Sequence, residues 1–149
     1  MSEVVLGYIE KDNKYLMLHR NKREVDLNKG KYVGVGGHIE KGETRDEALI
    51  REVREETSLK VLEYKYRGMI HFQNEEAEEL MYLYHISKFE GEVSECDEGT
   101  LSWVDKKDIF KLNLWEGDII FLKPFMETDD IINLKMIYHK DKLIRWEKL

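Results

Sequence analysis

The chain has 149 residues, 42% of them hydrophobic and 37% charged, which is enough apolar material for a packed core and excludes a disordered composition. The net charge of −7, from 31 acidic and 24 basic residues, argues against a protein that coats nucleic acid or an anionic membrane. The single cysteine excludes an internal disulfide framework.

The length predicts a single domain over residues 1–149. No apolar run approaches the roughly 20 residues that a membrane span needs. The first residues also lack the basic segment and long apolar stretch of a secretion signal. Because a lone cysteine fits a reducing compartment, we expect a cytoplasmic protein with no membrane partner.

The predicted elements alternate strands with two or three helices, which indicates an α/β or α+β fold. Turn signals such as Asp12-Asn13 separate apolar runs that alternate with polar residues. In chain order, the prediction is strands over 4–9, 15–18 and 32–39, a helix over 44–57, strands over 61–72, 80–89 and 101–104, a brief helix capped by Asp105 through 112, a helix over 115–126, and strands over 131–138 and 143–146. The acidic run 75–79 is interpreted as a solvated hairpin tip.

Local signals are clearest where the first helix begins. The strand before it carries Gly36 and Gly37, and glycine permits close approach of a ligand to the backbone. Thr44 and Glu47 have the T-x-x-E spacing of a capping box, so the helix is predicted to start directly after Thr44.

Three carboxylates of this helix share one arc beside its apolar stripe. On a wheel of about 100° per residue, Glu52, Glu55 and Glu56 lie together and repel one another, while Arg51 offsets part of that repulsion. A solvated acidic face is one interpretation. The other is a site for a hard cation such as Mg²⁺, which takes oxygen ligands.

Residues 37–59, GHIEKGETRDEALIREVREETSL, resemble the Nudix box, G-x5-E-x7-R-E-U-x-E-E-x-G-U, where U is a bulky aliphatic residue. Ser58 departs from the pattern, because the box expects a glycine there, after the helix end, where left-handed dihedrals are often needed. The matching positions are Gly37, Glu43, Arg51, Glu52, Val53, Glu55, Glu56 and Leu59.

The resemblance implies a Nudix-type α/β/α sandwich around a mixed β-sheet, and hydrolysis of a nucleoside diphosphate linked to another moiety with Mg²⁺ or Mn²⁺. Arg51 and Glu43 would mainly organise the box, and the general base would be Glu52 or, as a second candidate, Glu98. The metal ligands it implies are the Gly36 carbonyl, Glu52, Glu55, Glu56 and Glu98, and the catalytic set is Glu52, Glu56, Glu98, Arg51 and Glu43.

The similarity extends beyond the box to purine-sanitising, MutT-like members. Glu98 precedes Trp103-Val104 as a further acidic ligand does in those relatives, although a polar loop would look the same. The W-x-x-D spacing of Trp115 and Asp118 would place an indole under a base and a carboxylate at its edge; a core tryptophan with a helix-capping aspartate is the alternative. The predicted substrate-binding residues are Arg20, Gly36, Gly37, Trp115 and Asp118, with Arg20 otherwise a surface residue.

The resemblance therefore implies an 8-oxo-dGTP diphosphatase that releases nucleoside monophosphate and pyrophosphate. The expected partner is a small-molecule nucleotide, with no extended nucleic acid, and the enzyme is a monomer or a homodimer. A nucleotide sugar, a dinucleoside polyphosphate and capped RNA stay open as substrates, and so does a nucleotide-sensing module without catalysis. Cys96 has no second cysteine at metal-ligand spacing, so no structural zinc site is expected.

Overall fold

The computed structural model describes residues 1–149, which form nine strands, two α-helices and one 3-10 helix. No helix combines the length and the apolar composition that crossing a bilayer requires. In chain order the elements are β1 (Ser2–Lys11), β2 (Lys14–His19), β3 (Tyr32–Val33), β4 (Val35–His38), α1 (Arg45–Thr57), β5 (Lys60–Gln73), β6 (Glu78–Glu90), β7 (Thr100–Asp105), the 3-10 helix (Lys106–Lys111), α2 (Asp118–Glu127), β8 (Ile132–His139) and β9 (Lys142–Lys148).

The strands form one mixed sheet with β1 at its centre. One edge of β1 pairs in parallel with β6, and the other pairs antiparallel with β4 and, at the hairpin end, with β2. Beyond β6 the order continues as β5, β8 and β9, and β2 also carries β3 and β7. Parallel and antiparallel pairs thus occur together, as the resemblance implied.

Each face of the sheet buries its own core. Side chains of β1 alternate between the two, with Val5 and Ile9 in one core and Tyr8 in the other, because successive strand residues point to opposite faces. Helix α1 contributes Ala48 and Val53 to the first core, and α2 closes the second. The expected α/β/α sandwich is confirmed, with the sheet lying between α1 on one face and α2 on the other.

Helix α1 begins and ends as its sequence predicts. Thr44 Oγ1 accepts the Glu47 N–H at 3.1 Å and Glu47 Oε1 accepts the Thr44 N–H at 3.0 Å, which completes the capping box. Ser58 takes φ 68° and ψ 7°, the left-handed conformation expected of the missing glycine. Its N–H donates to the Arg54 carbonyl and its hydroxyl lies 2.6 Å from that of Ser94, so hydrogen bonds accompany the strained backbone.

Helix α2 starts at Asp118, three residues later than predicted. A turn precedes it, with the Asp118 N–H bonded to the Trp115 carbonyl at 3.0 Å. Gly117 packs against β8 so closely that a Cβ would lie 2.6 Å from the Tyr138 hydroxyl, and its N–H donates to that hydroxyl. This long-range contact delays the helix, so Trp115 stands in the turn before it. The brief helix over 106–111 is a 3-10 helix, and its predicted cap, Asp105, makes no side-chain capping bond.

Arg67 fastens the far end of α2 to the sheet. It lies on β5, is 2% exposed, and donates to the carbonyls of Phe125 at 2.9 Å and Asp130 at 3.0 Å. The Phe125 carbonyl lies in the last turn of α2, so the guanidinium satisfies an acceptor that the helix leaves free, and the Asp130 carbonyl follows the helix end. Arg67 therefore helps hold the C-terminal end of α2 against β5.

Candidate active site

Arg51 is the organising cation of the box. Its guanidinium makes a bidentate pair with Glu43 at 2.7 and 2.9 Å and donates to Glu52 Oε1 at 2.8 Å, to Glu55 Oε2 at 3.1 Å and to the His38 carbonyl at 3.0 Å. The hydrogen bonds from Arg51 lower the pKa of Glu43 to about 2, so that carboxylate stays charged. One arginine therefore ties the loop ahead of α1 to the helix, as the organising role assigned to Arg51 and Glu43 requires.

Two glycines of β4 allow close packing on both sides of that strand, against β1 and against Glu52 of α1. A Cβ on Gly36 would lie 1.8 Å from the backbone carbonyl of Val5, and one on Gly37 would lie 2.6 Å from the Glu52 carboxyl carbon. Real Cβ atoms do not make such contacts, so any larger residue would move β4 or the glutamate. The glycine pair thus brings the Glu52 carboxylate directly against the β4 backbone.

The three box carboxylates differ in exposure. The Glu55 side chain is 60% exposed and meets Arg51, whereas the Glu52 side chain is only 14% exposed. Glu56 is 8% exposed, and its Oε2 has no hydrogen-bond partner. Burial, reinforced by the nearby Glu98 carboxylate, raises the pKa of Glu56 well above its ordinary value. Burial also raises the pKa of Glu52, against the lowering effect of Arg51.

Glu98 joins Glu56 from the loop that precedes β7. Its carboxylate lies 3.3 Å from Arg20 Nη1 and 3.6 Å from Arg23 Nη2. Arg20 is itself held by Asp26 through hydrogen bonds of 2.8 and 3.1 Å. The structure therefore brings Arg20 to the site wall as an ion-paired residue, not a free surface side chain.

These groups line one cavity of about 490 Å³ that runs between the sheet and the flanking loops. Its lining includes the carboxylates of Glu52, Glu56 and Glu98, while the exposed Glu55 is not among the lining residues. The other predicted site residues in the lining are Arg20, Gly36, Gly37, Trp115 and Asp118.

The indole of Trp115 is fixed in place at the cavity wall. Its Nε1 donates to Asn28 Oδ1 at 2.8 Å, and its ring meets Phe72 and Tyr138 edge-on with centroids 5.3 Å away in each case. The ammonium of Lys31 lies 5.4 Å from the indole centroid and covers one face. The indole is thus pre-oriented, since rotation would break a hydrogen bond and two aromatic contacts.

Asp118 is a buried carboxyl at the same end of the cavity. It is 8% exposed, and burial raises its pKa from 3.8 to about 7, against the lowering effects of the Trp115 backbone and Lys31. A group with such a pKa exchanges its proton near neutrality, so it can act as an acceptor or a donor toward a ligand.

Among the lining residues that the sequence did not predict, three bear on the site most directly. Asn28 carries no pattern that points to Trp115, and Tyr138 lies in an ordinary apolar strand. The sequence predicts Glu79 in a solvated hairpin tip, but this residue lies in β6 opposite Ser2 of β1 and lines the cavity. Burial raises the pKa of Glu79, which agrees with that enclosed position. Period-two spacing with Met81, another lining residue, was the available signal.

The carboxylate end suits a divalent cation. Its donors are carboxylate oxygens with the Gly36 backbone beside them, which is the oxygen-rich set that Mg²⁺ and Mn²⁺ prefer. The unpartnered Oε2 of Glu56 is an acceptor that nothing in the protein satisfies. A buried orphan of this kind costs free energy unless a cation or donor meets it, so the residues fit a bound metal.

Comparison with known proteins agrees with this geometry. The chain is 29% identical over 128 residues to a CTP pyrophosphohydrolase of Escherichia coli, a match that spans 85% of this chain and 92% of the relative. It is 35% identical over 99 residues to an oxidized purine nucleoside triphosphate hydrolase of Danio rerio, covering 65% and 63% of the two chains. The crystal structure of the MutT protein from Bacillus halodurans superimposes with a TM-score of 0.89 at 24% identity, over 99% of this chain and 97% of that one.

The family model for the NUDIX domain matches residues 3–125. That stretch contains the box, Glu98 and the Trp115–Asp118 turn. Since the match covers well over half of the chain, the chain belongs to the Nudix family of hydrolases.

Proposed function

We propose that this Nudix enzyme hydrolyses a purine nucleoside triphosphate, with 8-oxo-dGTP as the leading substrate, to the nucleoside monophosphate and pyrophosphate in the cytoplasm. Residues 1–149 would form a single domain. The observation that carries the proposal is the continuity of the cavity, which joins the acidic end to the end lined by Trp115 and Asp118. A nucleotide has the same layout, with phosphates at one end and a flat base at the other.

The base end has the chemistry to read a guanine-like edge. Two adjacent donors on such an edge, the ring N–H and the exocyclic amine, complement the two oxygens of the Asp118 carboxylate. Trp115 offers a fixed aromatic surface, and a base stacked on an aromatic side chain contributes about 1–3 kcal/mol. Because Lys31 covers one face of the indole, the base would use the other face.

The acidic end has the chemistry to receive phosphates. Nudix hydrolases use divalent metals, and here Glu52, Glu55, Glu56 and Glu98 would hold Mg²⁺, with Mn²⁺ as a substitute. When bound, the ion supplies polarisation of the phosphoryl oxygens and a lower pKa for the attacking water. Glu55 would complete the set from its exposed position on α1.

Within this arrangement Glu52 is our first candidate for the general base. Arg51 holds its Oε1 at 2.8 Å, so the carboxylate is aimed into the cavity beside Gly37. It would accept the proton of the attacking water. Glu98 is the second candidate, and Glu52→Gln should lower kcat more than Glu98→Gln if the assignment holds. The opposite order would transfer the role to Glu98.

A pyrimidine triphosphate is the second candidate substrate. The E. coli relative is named for CTP, and its match spans 92% of that protein. A carboxylate also accepts the exocyclic amine of cytosine, so Asp118 alone does not distinguish the two bases. The area of the base stacked on Trp115 is the feature that should favour the purine.

A substrate panel tests the proposal. Purified protein with Mg²⁺ is assayed against 8-oxo-dGTP, dGTP, CTP, ADP-ribose and a dinucleoside polyphosphate, with pyrophosphate and phosphate release measured separately. We expect the highest kcat/KM for 8-oxo-dGTP, with pyrophosphate as the product. A higher kcat/KM for CTP or ADP-ribose refutes the substrate assignment, and tight Mg²⁺-independent nucleotide binding without turnover refutes catalysis itself.

Two tryptophans provide a matched pair for the base end. Trp115→Ala should lower kcat/KM for the preferred nucleotide by about 5- to 150-fold, which is the stacking free energy converted to a ratio of rates. Trp146 is 45% exposed on β9 and does not line the cavity, so Trp146→Ala should leave kcat/KM unchanged. Equal effects of the two substitutions would exclude a base-stacking role for Trp115.

A further inference from the structure

A cysteine thiol lies beside the acidic end of the cavity. Cys96 is in the loop between β6 and β7 and is only 4% exposed. One ligand atom of each of Cys96, Glu56 and Glu98 lies within 4.8 Å of the other two. A single ion between three such atoms could contact all of them after small side-chain movements, because metal–ligand bonds are about 2.0–2.3 Å long.

The neighbouring glutamate, whose unpartnered oxygen also fits the Mg²⁺ set, supplies a second sign of a missing ligand. Glu56 is 8% exposed, and its buried Oε2 has no hydrogen-bond partner anywhere in the chain. Native proteins rarely leave a buried carboxylate oxygen unpaired, so an orphan of this kind points to a bound ion or donor. The thiol and the orphaned carboxylate belong to the same three-residue group.

The loop that carries two of the three donors is tied down. Lys22 Nζ donates to the Cys96 carbonyl at 2.9 Å, and Cys96 pairs with Gly99 in an isolated bridge. A Cβ at Gly99 would lie 1.9 Å from the His19 carbonyl, so the loop lies directly on β2. Backbone anchors of this kind hold Cys96 and Glu98 in fixed relation, and a pre-organised donor set binds a metal more tightly.

We propose that Cys96, Glu56 and Glu98 form a site for a thiophilic divalent cation of the zinc class. Mg²⁺ takes oxygen ligands and has little affinity for sulfur, whereas Zn²⁺, Co²⁺ and Cd²⁺ bind thiolate and carboxylate together. Three protein ligands leave a fourth position for water or a substrate oxygen, unlike a closed structural zinc site. Binding converts the S–H group into a metal–sulfur bond and releases its proton to solvent.

The site shares Glu56 and Glu98 with the set proposed for Mg²⁺, so the two kinds of ion compete. This part of the inference rests on the proposed function, because it assumes that those carboxylates serve the Mg²⁺-dependent reaction. A thiophilic ion would then displace the productive one and inhibit hydrolysis. Binding of the thiophilic ion itself does not depend on any activity.

Cobalt(II) tests the binding directly, because a cobalt–thiolate bond gives a charge-transfer band in the near ultraviolet. The whole chain, freed of metal, is titrated with CoCl₂ and followed by absorption. We expect the band to saturate at one ion per chain, to disappear in Cys96→Ser, and to persist in Asp97→Asn, an exposed acidic neighbour on the same loop. Binding of Co²⁺ to Cys96→Ser should be weaker by at least about 10-fold.

Absence of the band in the wild-type chain, or an unchanged band in Cys96→Ser, overturns the inference. Near-ultraviolet circular dichroism of Cys96→Ser and of a second variant, Cys96→Ala, establishes that both remain folded. Zn²⁺ inhibition is measured as a fraction of each protein's own Mg²⁺ rate, and Cys96→Ser should need at least about 10-fold more Zn²⁺ than Asp97→Asn.

The two proposals fail separately. A cobalt–thiolate band in a chain that hydrolyses no nucleotide would leave the metal site standing and refute the proposed function. Mg²⁺-dependent nucleotide hydrolysis in a chain that gives no cobalt–thiolate band would support the proposed function and refute the thiophilic metal site.

Discussion

The substitution Asp118→Asn should remove a pH-dependent loss of stability from the protein. Burial raises the pKa of Asp118 from 3.8 to about 7, so the folded chain holds a proton there over a range in which the unfolded chain has lost it. Because the folded pKa is the higher one, this group costs no stability below the unfolded value. The cost grows as the pH rises toward the folded pKa and is constant above it.

The size of the effect follows from the shift. Each pKa unit corresponds to 1.36 kcal/mol, so the cost to the wild type is about 2 kcal/mol at about pH 5.5 and about 4 kcal/mol at about pH 8. The neutral amide of Asp118→Asn carries no such cost. The variant should therefore gain stability relative to wild type as the pH rises. Its free energy of unfolding minus that of wild type should be about 2 kcal/mol larger at the higher pH.

Urea unfolding of both proteins at the two pH values, in EDTA and without nucleotide, gives the variant-minus-wild-type difference in unfolding free energy at each pH. Effects common to both proteins cancel, since only the residue at 118 differs. Asp97→Asn removes one exposed carboxylate and controls for a change in net charge. A variant-minus-wild-type difference that is the same at both pH values would refute the assignment of a buried, proton-holding Asp118.

Three further predictions concern the box. Glu56→Gln should lower Mg²⁺-dependent turnover by at least about 100-fold. The same variant should raise the thermal unfolding midpoint in EDTA, because the buried Glu56 carboxylate is unpaired without metal; a lowered midpoint would contradict this account. Gly36→Ala should cost more than about 3 kcal/mol in urea unfolding, since its Cβ meets a backbone carbonyl of β1. The Cβ of Gly37→Ala meets the end of the Glu52 side chain instead of a backbone atom, so this variant should mainly weaken Mn²⁺ binding measured by electron paramagnetic resonance; equal stability losses would count against this distinction. Ser58→Gly should raise the free energy of unfolding by up to about 1 kcal/mol in the same urea assay, because glycine tolerates φ 68°. A lower free energy of unfolding would mean that the hydroxyl contact with Ser94 outweighs the backbone strain.

Local rules accounted for the part of the site that lies within one stretch of chain. The capping box and the clustering of Glu52 and Glu56 depend on spacings of three and four residues along a helix, which the sequence displays directly. The left-handed conformation at Ser58 followed from the same kind of rule, since the position lies at a helix end.

Long-range packing accounted for what the sequence did not reveal. The bond between Trp115 and Asn28 joins residues 87 positions apart, and no pattern relates them. The late start of α2 depends on the contact between Gly117 and Tyr138. Period-two spacing places Glu79 on the same face of β6 as Met81, but it does not reveal that β6 pairs with β1 and so brings that face to the cavity.

The two ends of the cavity have separate origins in the chain, and this separation bears on how such an enzyme can diversify. Most carboxylates of the acidic end lie on α1, which has its own capping box and is tied to the preceding loop by Arg51. Most substitutions in this segment therefore affect the reaction itself. The base end is assembled from distant loops and strands, so it can acquire a new preference while the chemistry is kept. We therefore expect related proteins to keep the hydrolytic reaction while differing in substrate. The relatives named for CTP and for oxidized purines fit that pattern.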